Sequence, residues 1–430
     1  MRIVSKEYFS EHPKYIRLFA KIGILILGLV FLLLIGVLRD SELPIGDKPY
    51  YHLFHAGQFS GVGAGWNFIL GYFPLNILLF IAGLLSIFFI FLNLEMLKIE
   101  ERLVALGFFI ISPAFLYLFN VGERFGIAFL FSLIASYFFL NKKYLIAALG
   151  SALIFLIDIW IGMFVLFLFA LYLLYINGKK RTFYALIGVF IFLTLLLGDF
   201  NRGIISDLGA KIGSSVFALF FVIFCFSSFW NRKKFLFLYG VSGLLFLFSL
   251  KVEFGIFYFS LVLSLLMSFC FLELFRIKWE SKLVRDFILL IVVCGLLFSG
   301  LSYMNRVSKE KPDQRIFNAL ERLPEDSVVF SDIGYGNWIL FSGKRAVWDS
   351  FMDRNSIRKI EGDFSAVFES QDYLESTRIL EEYGVDYILI DNELRERGHG
   401  AGLLYLLKYN SEDFRLLFDE DGVEAWRFFR

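Results

Sequence analysis

The sequence predicts a polytopic α-helical membrane domain followed by a small extracytoplasmic α/β domain. The chain of 430 residues is 58% hydrophobic and its mean hydropathy is +0.68, whereas an ordinary soluble domain is about 45–50% apolar. The hydrophobic residues lie in long runs with few charges, as in transmembrane helices of about 20 residues. After residue 306 the net charge changes sign and strand-like segments begin to alternate with helix-like ones.

Eleven apolar runs are candidate spans, at residues 17–38, 67–94, 102–120, 124–140, 144–157, 160–177, 182–198, 212–229, 235–250, 254–275 and 285–304. The first run follows a basic start and ends in GVLRD, not at small residues. This favours a retained helix over a cleaved signal peptide. The stretch 144–176 is too long for one span, so we place a break at Asp158.

The distribution of Lys and Arg predicts the orientation. With the N-terminus in the cytoplasm, the inner segments hold 18 Lys and Arg residues and the outer segments hold 7. An odd number of spans then places residues 307–430 outside the cell membrane, after a multi-span domain at residues 1–306. The outer domain has 16 Lys+Arg and 25 Asp+Glu, against 26 and 16 in the first domain. This balance gives no reason to expect a nucleic-acid partner.

The outer domain alternates strand and helix patterns, as in a small layered α/β domain. DSVVFSDI, KRAVWDS and VDYILID predict strands, and QDYLESTRILEEYG and GAGLLYLLKYN predict helices. FRLLFDEDGVEAWRFF predicts a hairpin with its turn at Asp421-Gly422.

Carboxylates collect at the predicted outer ends of the spans, where they are costly at membrane depth and often functional. They are Asp40, Glu42, Asp47, Glu123, Asp158, Asp199, Asp207 and Glu253. The first outer loop, residues 39–66, is much longer than the others, and long loops often carry sites. Asp47 in this loop either binds a divalent metal on a phosphate, acts on the acceptor, or is a solvated acid beside an interfacial aromatic belt.

The histidines and cysteines give a weaker signal. His52 and His55 are three residues apart and can share a helix face, but two histidines without further partners are more often interfacial side chains than metal ligands. Cys225, Cys270 and Cys294 lie inside apolar runs without the spacing of metal ligands.

The remaining acids each have two interpretations. Glu123 is either a site residue or a loop carboxylate paired with Arg124, and Asp158 either caps a half-helix or faces a cavity. One further outer loop brings together Asp199, Arg202, Asp207 and Lys211. The alternative for this loop is a solvated segment with local ion pairs.

Four segments occur in the order found in a known family. GDKPYYHL carries an acid before a Tyr-rich stretch at Asp47, NVGERFGIAFLF carries Glu123, IISDLGAKIGSSVFALFF carries Asp207, and SDIGYGNWILFSGKRAVWD contains a YG dipeptide at Tyr335. Together they resemble the C-type glycosyltransferase superfamily, and most of all the catalytic subunit of oligosaccharyltransferase, including its archaeal single-subunit form. The last segment corresponds to the WWDYG region of that family.

This chain departs from the family pattern at the WWDYG region. Gly334 replaces the acid that helps to hold the hydroxyl residue of an Asn-x-Ser/Thr acceptor, and Asp332 and Ile333 replace the two Trp residues. In an extended strand, Asp332 would lie about 6–7 Å from position 334 on the same face. The second-loop motif has Asn120 and Glu123 where two acids are expected. We therefore expect poor use of a standard sequon, or another acceptor.

The resemblance implies transfer of a sugar or oligosaccharide from a polyprenyl-phosphate-linked donor in the bilayer to an acceptor, and it favours a protein as this acceptor. It implies a Mg²⁺ or Mn²⁺ ion held by Asp47 and Glu123, with Arg202 or Lys211 on the donor phosphate. The residues that it assigns to the acceptor are Asp207, Gly334, Tyr335, Gly336 and Trp338. Two alternatives stay open: a lipid or glycan acceptor, and a non-catalytic relative or transporter. Against a transporter, we find no convincing internal repeat in the sequence.

Overall fold

The computed structural model describes residues 13–39, 41–59, 61–178, 180–196, 203–229, 236–349, 351–352, 354–369, 372–397 and 402–429. The chain divides into two compact units, one formed by Met1–Asp40 with Phe73–Lys309 and the other by Ser41–Tyr72 with Glu310–Arg430. The sequence placed the domain boundary at 306 but did not predict that most of the first outer loop belongs to the second unit.

The first unit is helical in its described part. Its helices are α1 Pro13–Leu38, α4 Leu75–Asn93, α5 Ile99–Ile111, α6 Pro113–Asn120, α7 Phe125–Leu140, α8 Tyr144–Ile157, α9 Ile159–Ile176, α10 Lys180–Leu196, α11 Val216–Phe229, α12 Leu236–Ser249, α13 Gly255–Arg276 and α14 Lys282–Ser308. Two short helices of the first loop, α2 Lys48–Phe54 and α3 Ala64–Leu70, belong to the second unit. Each predicted apolar run coincides with helix over most of its length.

Five of the described helices are long and apolar enough to cross a membrane: α1 from Leu18, α4, α9, α13 and α14. A sixth span results if α5 and α6, which are bent by 64° relative to each other, are one broken helix. The bend follows Ser112, where Pro113 lacks the N–H that would continue α5. The count of eleven spans therefore stays a prediction.

Two breaks in the helices have local causes. At the predicted position, Asp158 ends α8 and caps α9, since its Oδ1 accepts hydrogen bonds from the backbone N–H groups of Trp160 at 2.9 Å and Ile161 at 3.2 Å. The run 67–94, by contrast, is not one helix. It is interrupted between Leu70 and Leu75, because Pro74 disfavours a helical conformation in the preceding residue.

The second unit is built on a five-stranded mixed sheet. Its strands are β1 Val328–Phe330, β2 Arg345–Ala346, β3 Tyr387–Asp391, β4 Phe414–Glu420 and β5 Val423–Phe428. Their order is β2-β1-β3-β5-β4, with β1 parallel to β2 and β3, and β5 antiparallel to β3 and β4. All the predicted strands and the hairpin are confirmed.

Helices cover both faces of this sheet. They are α15 Gln314–Glu321, α16 Gly336–Phe341, α17 Arg354–Glu369, α18 Tyr373–Glu382, α19 Asn392–Arg397 and α20 Leu403–Tyr409. Successive residues of β3 point to opposite faces: Ile388 packs with residues of α17, α18 and α20, and Leu389 packs with residues of α15 and α16.

The first-loop helix α2 joins the second of these faces through Tyr50. Its side chain is fully buried, and its ring centroid lies 5.2 Å from those of Phe317 and Phe341. This aromatic contact explains why a segment more than 200 residues away in sequence belongs to the second unit.

Candidate functional site

The first-loop acid Asp47 binds the N-terminal turn of α16. Its Oδ1 accepts a hydrogen bond from the backbone N–H of Asn337 at 3.0 Å, and its Oδ2 accepts one from Asn337 Nδ2 at 2.7 Å. The next residue, Trp338, donates from its indole Nε1 to the carbonyl of Gly46 at 3.0 Å. The first N–H groups of a helix have no partner within it, so a carboxylate placed there is stabilising. Asp47 therefore fixes the segment that resembles the WWDYG region.

Tyr335 in the same segment is held by a charged network. Its hydroxyl donates to Asp391 Oδ2 at 2.6 Å and accepts from Lys311 Nζ at 2.5 Å, while Lys311 also forms ion pairs with Asp391 and, at 2.8 Å, with Glu393. Burial and the hydrogen bond to Asp391 raise the pKa of Tyr335. Burial opposes ionisation of Asp391, but hydrogen bonds from Lys311, Tyr335 and the N–H of Leu394 outweigh it and lower the pKa of this carboxyl.

The rings of Tyr335 and Trp338 point into the protein. They are 5% and 3% exposed, their centroids lie 4.5 Å apart, and they pack in the core beside Val329 and Leu389. The two apolar rings are covered by the core of the second unit and present no open face to a ligand. Their part in acceptor binding stays a prediction, and the geometry favours a positioning role.

The two glycines of the segment differ in their surroundings. A Cβ at Gly336 would lie 1.9 Å from the carbonyl oxygen of Trp348, so no larger residue fits without a backbone shift. Gly334 is exposed, and its N–H donates to Asp332 Oδ1 at 2.8 Å. The segment is not extended here, since Ile333–Tyr335 form a 3-10 turn that Asp332 caps. A Cβ at Gly334 would meet Asp332 Oδ1 at 3.3 Å, so a carboxylate lies beside the position that lacks one.

The two first-loop histidines make separate contacts. His52 is buried, with Nδ1 2.7 Å from Asn67 Oδ1, and His55 Nδ1 lies 2.9 Å from the carbonyl oxygen of Tyr51. Among the residues that the structure describes, no group of three or more His, Cys, Asp or Glu side chains is arranged to hold a metal ion. Asp47 belongs to the second unit and Glu123 belongs to the first.

In the helical unit, Glu123 lies at the short turn before α7. It is 3% exposed and accepts a hydrogen bond from the hydroxyl of Tyr117. Its neighbour Arg124 forms an ion pair with Asp158, with Nε 2.8 Å from Oδ2, and both side chains are largely buried. This pair joins the turn before α7 to the start of α9, a partner that the sequence did not predict for Arg124.

The loop before α11 carries Asp207 and Lys211. Asp207 Oδ1 accepts from the hydroxyl of Ser299 at 2.5 Å, and its Oδ2 accepts from the N–H of Val216 at 2.6 Å. Arg306 donates to the carbonyls of Ser206 at 3.0 Å and Ala210 at 2.7 Å. The end of α14 therefore holds this loop in place, and the Lys211 side chain is exposed. Arg202, Asp199 and Asp40 lie outside the described residues.

Sequence reasoning missed the residues that hold the predicted site residues and their loops in place. These residues are above all Asn337, Lys311, Asp391 and Arg306. One of them had a recognisable signal, because Asp391 is the acid at the carboxyl end of a predicted buried strand. The others carry no local pattern, since each acts through a distant segment.

Neither a family model nor a curated protein matches the chain. Solved structures of an oligosaccharyltransferase from Archaeoglobus fulgidus do share its fold. The structure of archaeal oligosaccharyltransferase AglB in complex with an inhibitory peptide and a dolichol-phosphate has a TM-score of 0.59 at 12% identity, and the match covers 97% of this chain and 75% of that one.

Two further structures of the Archaeoglobus fulgidus oligosaccharyltransferase agree. The complex with Zn and sulfate has a TM-score of 0.53 at 11% identity and covers 94% of this chain and 73% of that one. The structure tethered by a disulfide bond to an acceptor peptide containing the NVT sequon has a TM-score of 0.51 at 10% identity and covers 98% and 75%. The chain thus has an oligosaccharyltransferase-like fold over nearly its whole length.

Proposed function

We propose that this protein is a membrane glycosyltransferase that transfers a sugar or oligosaccharide from a polyprenyl-phosphate-linked donor to a polypeptide acceptor at the outer face of the cell membrane. One observation carries the proposal: the fold of an archaeal oligosaccharyltransferase extends over 97% of the chain. That enzyme's structures contain a dolichol-phosphate and peptides, which supports the same two substrate classes here.

We assign the donor phosphate to the helical unit. Its loops carry Glu123 and Lys211, and the exposed ammonium of Lys211 is suited to a phosphate group. Arg306 serves a different purpose, because its guanidinium already binds two carbonyls of the loop and keeps Asp207 in place. Arg202 is a second candidate for the phosphate by its position in the sequence.

The chemistry needs stabilisation of negative charge. Transfer breaks the bond between the anomeric carbon and a phosphate oxygen and forms a bond from that carbon to the acceptor, so charge develops on the leaving phosphate. A Mg²⁺ or Mn²⁺ ion at Asp47 and Glu123 would supply part of the neutralisation. Mg²⁺ usually binds through one or two carboxylates, with waters and substrate phosphates completing its shell.

We assign the acceptor to the exposed part of the WWDYG-like segment. Gly334 is exposed and Asp332 half-buried, whereas the segment from Tyr335 to Ile339 is buried. A charged hydrogen bond to an acceptor hydroxyl contributes about 1.5–3 kcal/mol, or roughly 10- to 150-fold in binding. Without an acid at 334, we expect little preference for Thr in the acceptor unless Asp332 supplies the carboxylate.

A transfer assay tests the activity. The full chain in lipid nanodiscs would receive native lipid-linked donor and matched Asn-x-Thr and Asn-x-Ala peptides, with mass spectrometry of the products. Glu123→Gln should lower the rate about 100- to 1000-fold, and the exposed loop acid Glu42 provides the matched control, Glu42→Gln. If Asp47 and Glu123 act on one phosphate, the effects of Asp47→Asn and Glu123→Gln should be non-additive.

The outcomes separate the proposals. Unchanged transfer by Glu123→Gln, in the presence of a chelator, would remove Glu123 and the metal from the mechanism. Strong Thr-dependent transfer that is lost in Asp332→Asn would assign the acceptor hydroxyl to Asp332. Equal use of both peptides, with Thr preference appearing in Gly334→Asp, would show that this chain lacks the hydroxyl site. Absence of transfer to any peptide would contradict the polypeptide acceptor.

The second candidate function is transfer to a lipid or glycan. The observation in its favour is Gly334, because the residue that recognises a sequon in the family is missing. Product analysis of the same reaction without peptide, in nanodiscs that contain lipid and glycan acceptors, tests this alternative directly.

A further inference from the structure

The second unit contains a segment without charged side chains. Residues 49–72, PYYHLFHAGQFSGVGAGWNFILGY, include no Asp, Glu, Lys or Arg, and seven of these 24 residues are Phe, Tyr or Trp. Residues 307–430, which form nearly all the rest of this unit, have 41 charged residues. Since water-facing protein surfaces are typically about 25–35% charged, the composition of this segment calls for a different environment.

The two sides of the segment differ in the structure. One side is buried, with Tyr50 and Trp66 fully inaccessible to solvent, and Tyr50 packs against Phe317 and Phe341 of the second unit. The other side exposes four aromatic rings: Phe54 at 45%, Phe59 at 61%, Phe68 at 42% and Tyr72 at 68%. Three of these rings form a contiguous surface, since the centroids of Phe59 and Phe68 are 6.1 Å apart and those of Phe68 and Tyr72 are 5.1 Å apart.

The position of this aromatic face in the chain indicates what covers it. Tyr72 lies three residues before Leu75, where α4 begins, and α4 is apolar and long enough to cross a membrane. No charged residue occurs between Lys48 and Glu95, so the uncharged character of the span continues without interruption into the loop. Aromatic residues are enriched where a protein meets the membrane–water interface.

We propose that the aromatic face formed by Phe54, Phe59, Phe68 and Tyr72 lies in the interfacial layer of the bilayer. Its buried side stays packed on the second unit, and its exposed rings enter the boundary between headgroups and acyl chains. The face thereby anchors the loop that carries Asp47 to the membrane surface. This inference does not depend on the proposed transferase activity.

Spin labelling of the full chain in nanodiscs tests the proposal. The three cysteines are first replaced by Ala, and single cysteines at Phe59, Phe68 or Tyr72 then carry a nitroxide. We expect these labels to collide preferentially with oxygen and to lie about 5–10 Å below the headgroup level. The control is a label at Glu412, an exposed position of the second unit, which should collide preferentially with a water-soluble nickel complex.

Other results would overturn the proposal. Labels at the three aromatic positions that are as accessible to nickel as the label at Glu412 would place the face in water. Dipolar broadening between two chains in one nanodisc would indicate self-association. Protection that appears only after addition of a peptide would indicate a peptide surface.

A measurement on the unmodified chain guards against variants that do not fold. Lipids with a diazirine at the first carbons of the acyl chain should crosslink to the segment 54–72 and not to residues 410–417, as mapped by mass spectrometry. Crosslinks restricted to the helices of the first unit would also refute the interfacial position.

Discussion

Replacement of Asp47 by Ala should loosen the first turn of α16. The substitution removes both carboxylate oxygens that accept hydrogen bonds from Asn337, a residue that is fully buried. A hydrogen bond to a charged group contributes about 1.5–3 kcal/mol, so two of them set an upper limit of about 3–6 kcal/mol. Because Asp47 is only half-buried, water can enter its place, and we expect a net loss of about 2–3 kcal/mol.

Hydrogen exchange measures this loss locally. At about 1.4 kcal/mol for each factor of ten, the amides of residues 336–341 should lose roughly 30- to 150-fold of their protection in Asp47→Ala. Asp47→Asn keeps an oxygen for the N–H of Asn337 and lets the two amides pair after rotation, so its loss should stay below about tenfold. Glu42→Ala, an exposed acid of the same loop, should change nothing.

The two variants separate structure from chemistry. If the charge of Asp47 acts on the donor phosphate, Asp47→Asn should lose about 100- to 1000-fold in transfer rate while α16 keeps its protection. Unchanged protection of residues 336–341 in Asp47→Ala would refute the capping argument. Full transfer by Asp47→Asn would refute a catalytic role of the charge.

Three further predictions concern the second unit. Lys311→Met, which removes the ammonium next to Tyr335, should lower the exchange protection of residues 333–341 at least tenfold and Lys311→Arg should restore most of it, since a charge-assisted bond of about 1.5–3 kcal/mol is lost. The folded-state pKa of Asp391 is lowered, so its stabilising contribution is complete above its unfolded pKa of about 3.9 and is lost as the pH falls through the folded pKa. When the pH is lowered from 7 to about 3, the free energy of unfolding measured with urea should therefore fall less in Asp391→Asn than in the unmodified chain. An impermeant thiol reagent should label Ser411→Cys in intact cells, and labelling only after the cytoplasmic face is opened would contradict an outer second unit.

Features with local causes were predictable from the sequence. The hairpin turn at Asp421-Gly422 has positive φ at both residues, +53° and +80°, as the Asp-Gly pair indicates. The cap at Asp158 likewise involves backbone groups two and three residues away. Helices α15, α16, α17 and α19 were not predicted. For α16 the glycines of the segment favoured a turn, whereas its first N–H groups are satisfied from another part of the chain.

Contacts over long sequence distances were not predictable. Asp47 and Asn337 are 290 residues apart, and Arg124 and Asp158 are 34 residues apart. Sequence patterns identify residue types that carry charge, but they do not identify which charges meet, because pairing depends on the tertiary arrangement. For the same reason, the pattern of apolar runs placed Asp47 in the first outer loop but did not reveal that most of this loop belongs to the second unit.

A capping role and a catalytic role of Asp47 are compatible in physical terms. Each carboxylate oxygen has two lone pairs, and Asn337 engages one on each oxygen. The carboxylate is then held in a fixed direction before any substrate binds, and fixed charges stabilise a transition state better than mobile ones because they need no reorganisation. The buried position of Asn337, with Tyr335 locked by Lys311 and Asp391, gives the support that such a carboxylate requires. Loosening α16 should therefore impair transfer even when the charge of Asp47 is retained. Asn337→Ala tests this positioning role, because it leaves Asp47 itself unchanged.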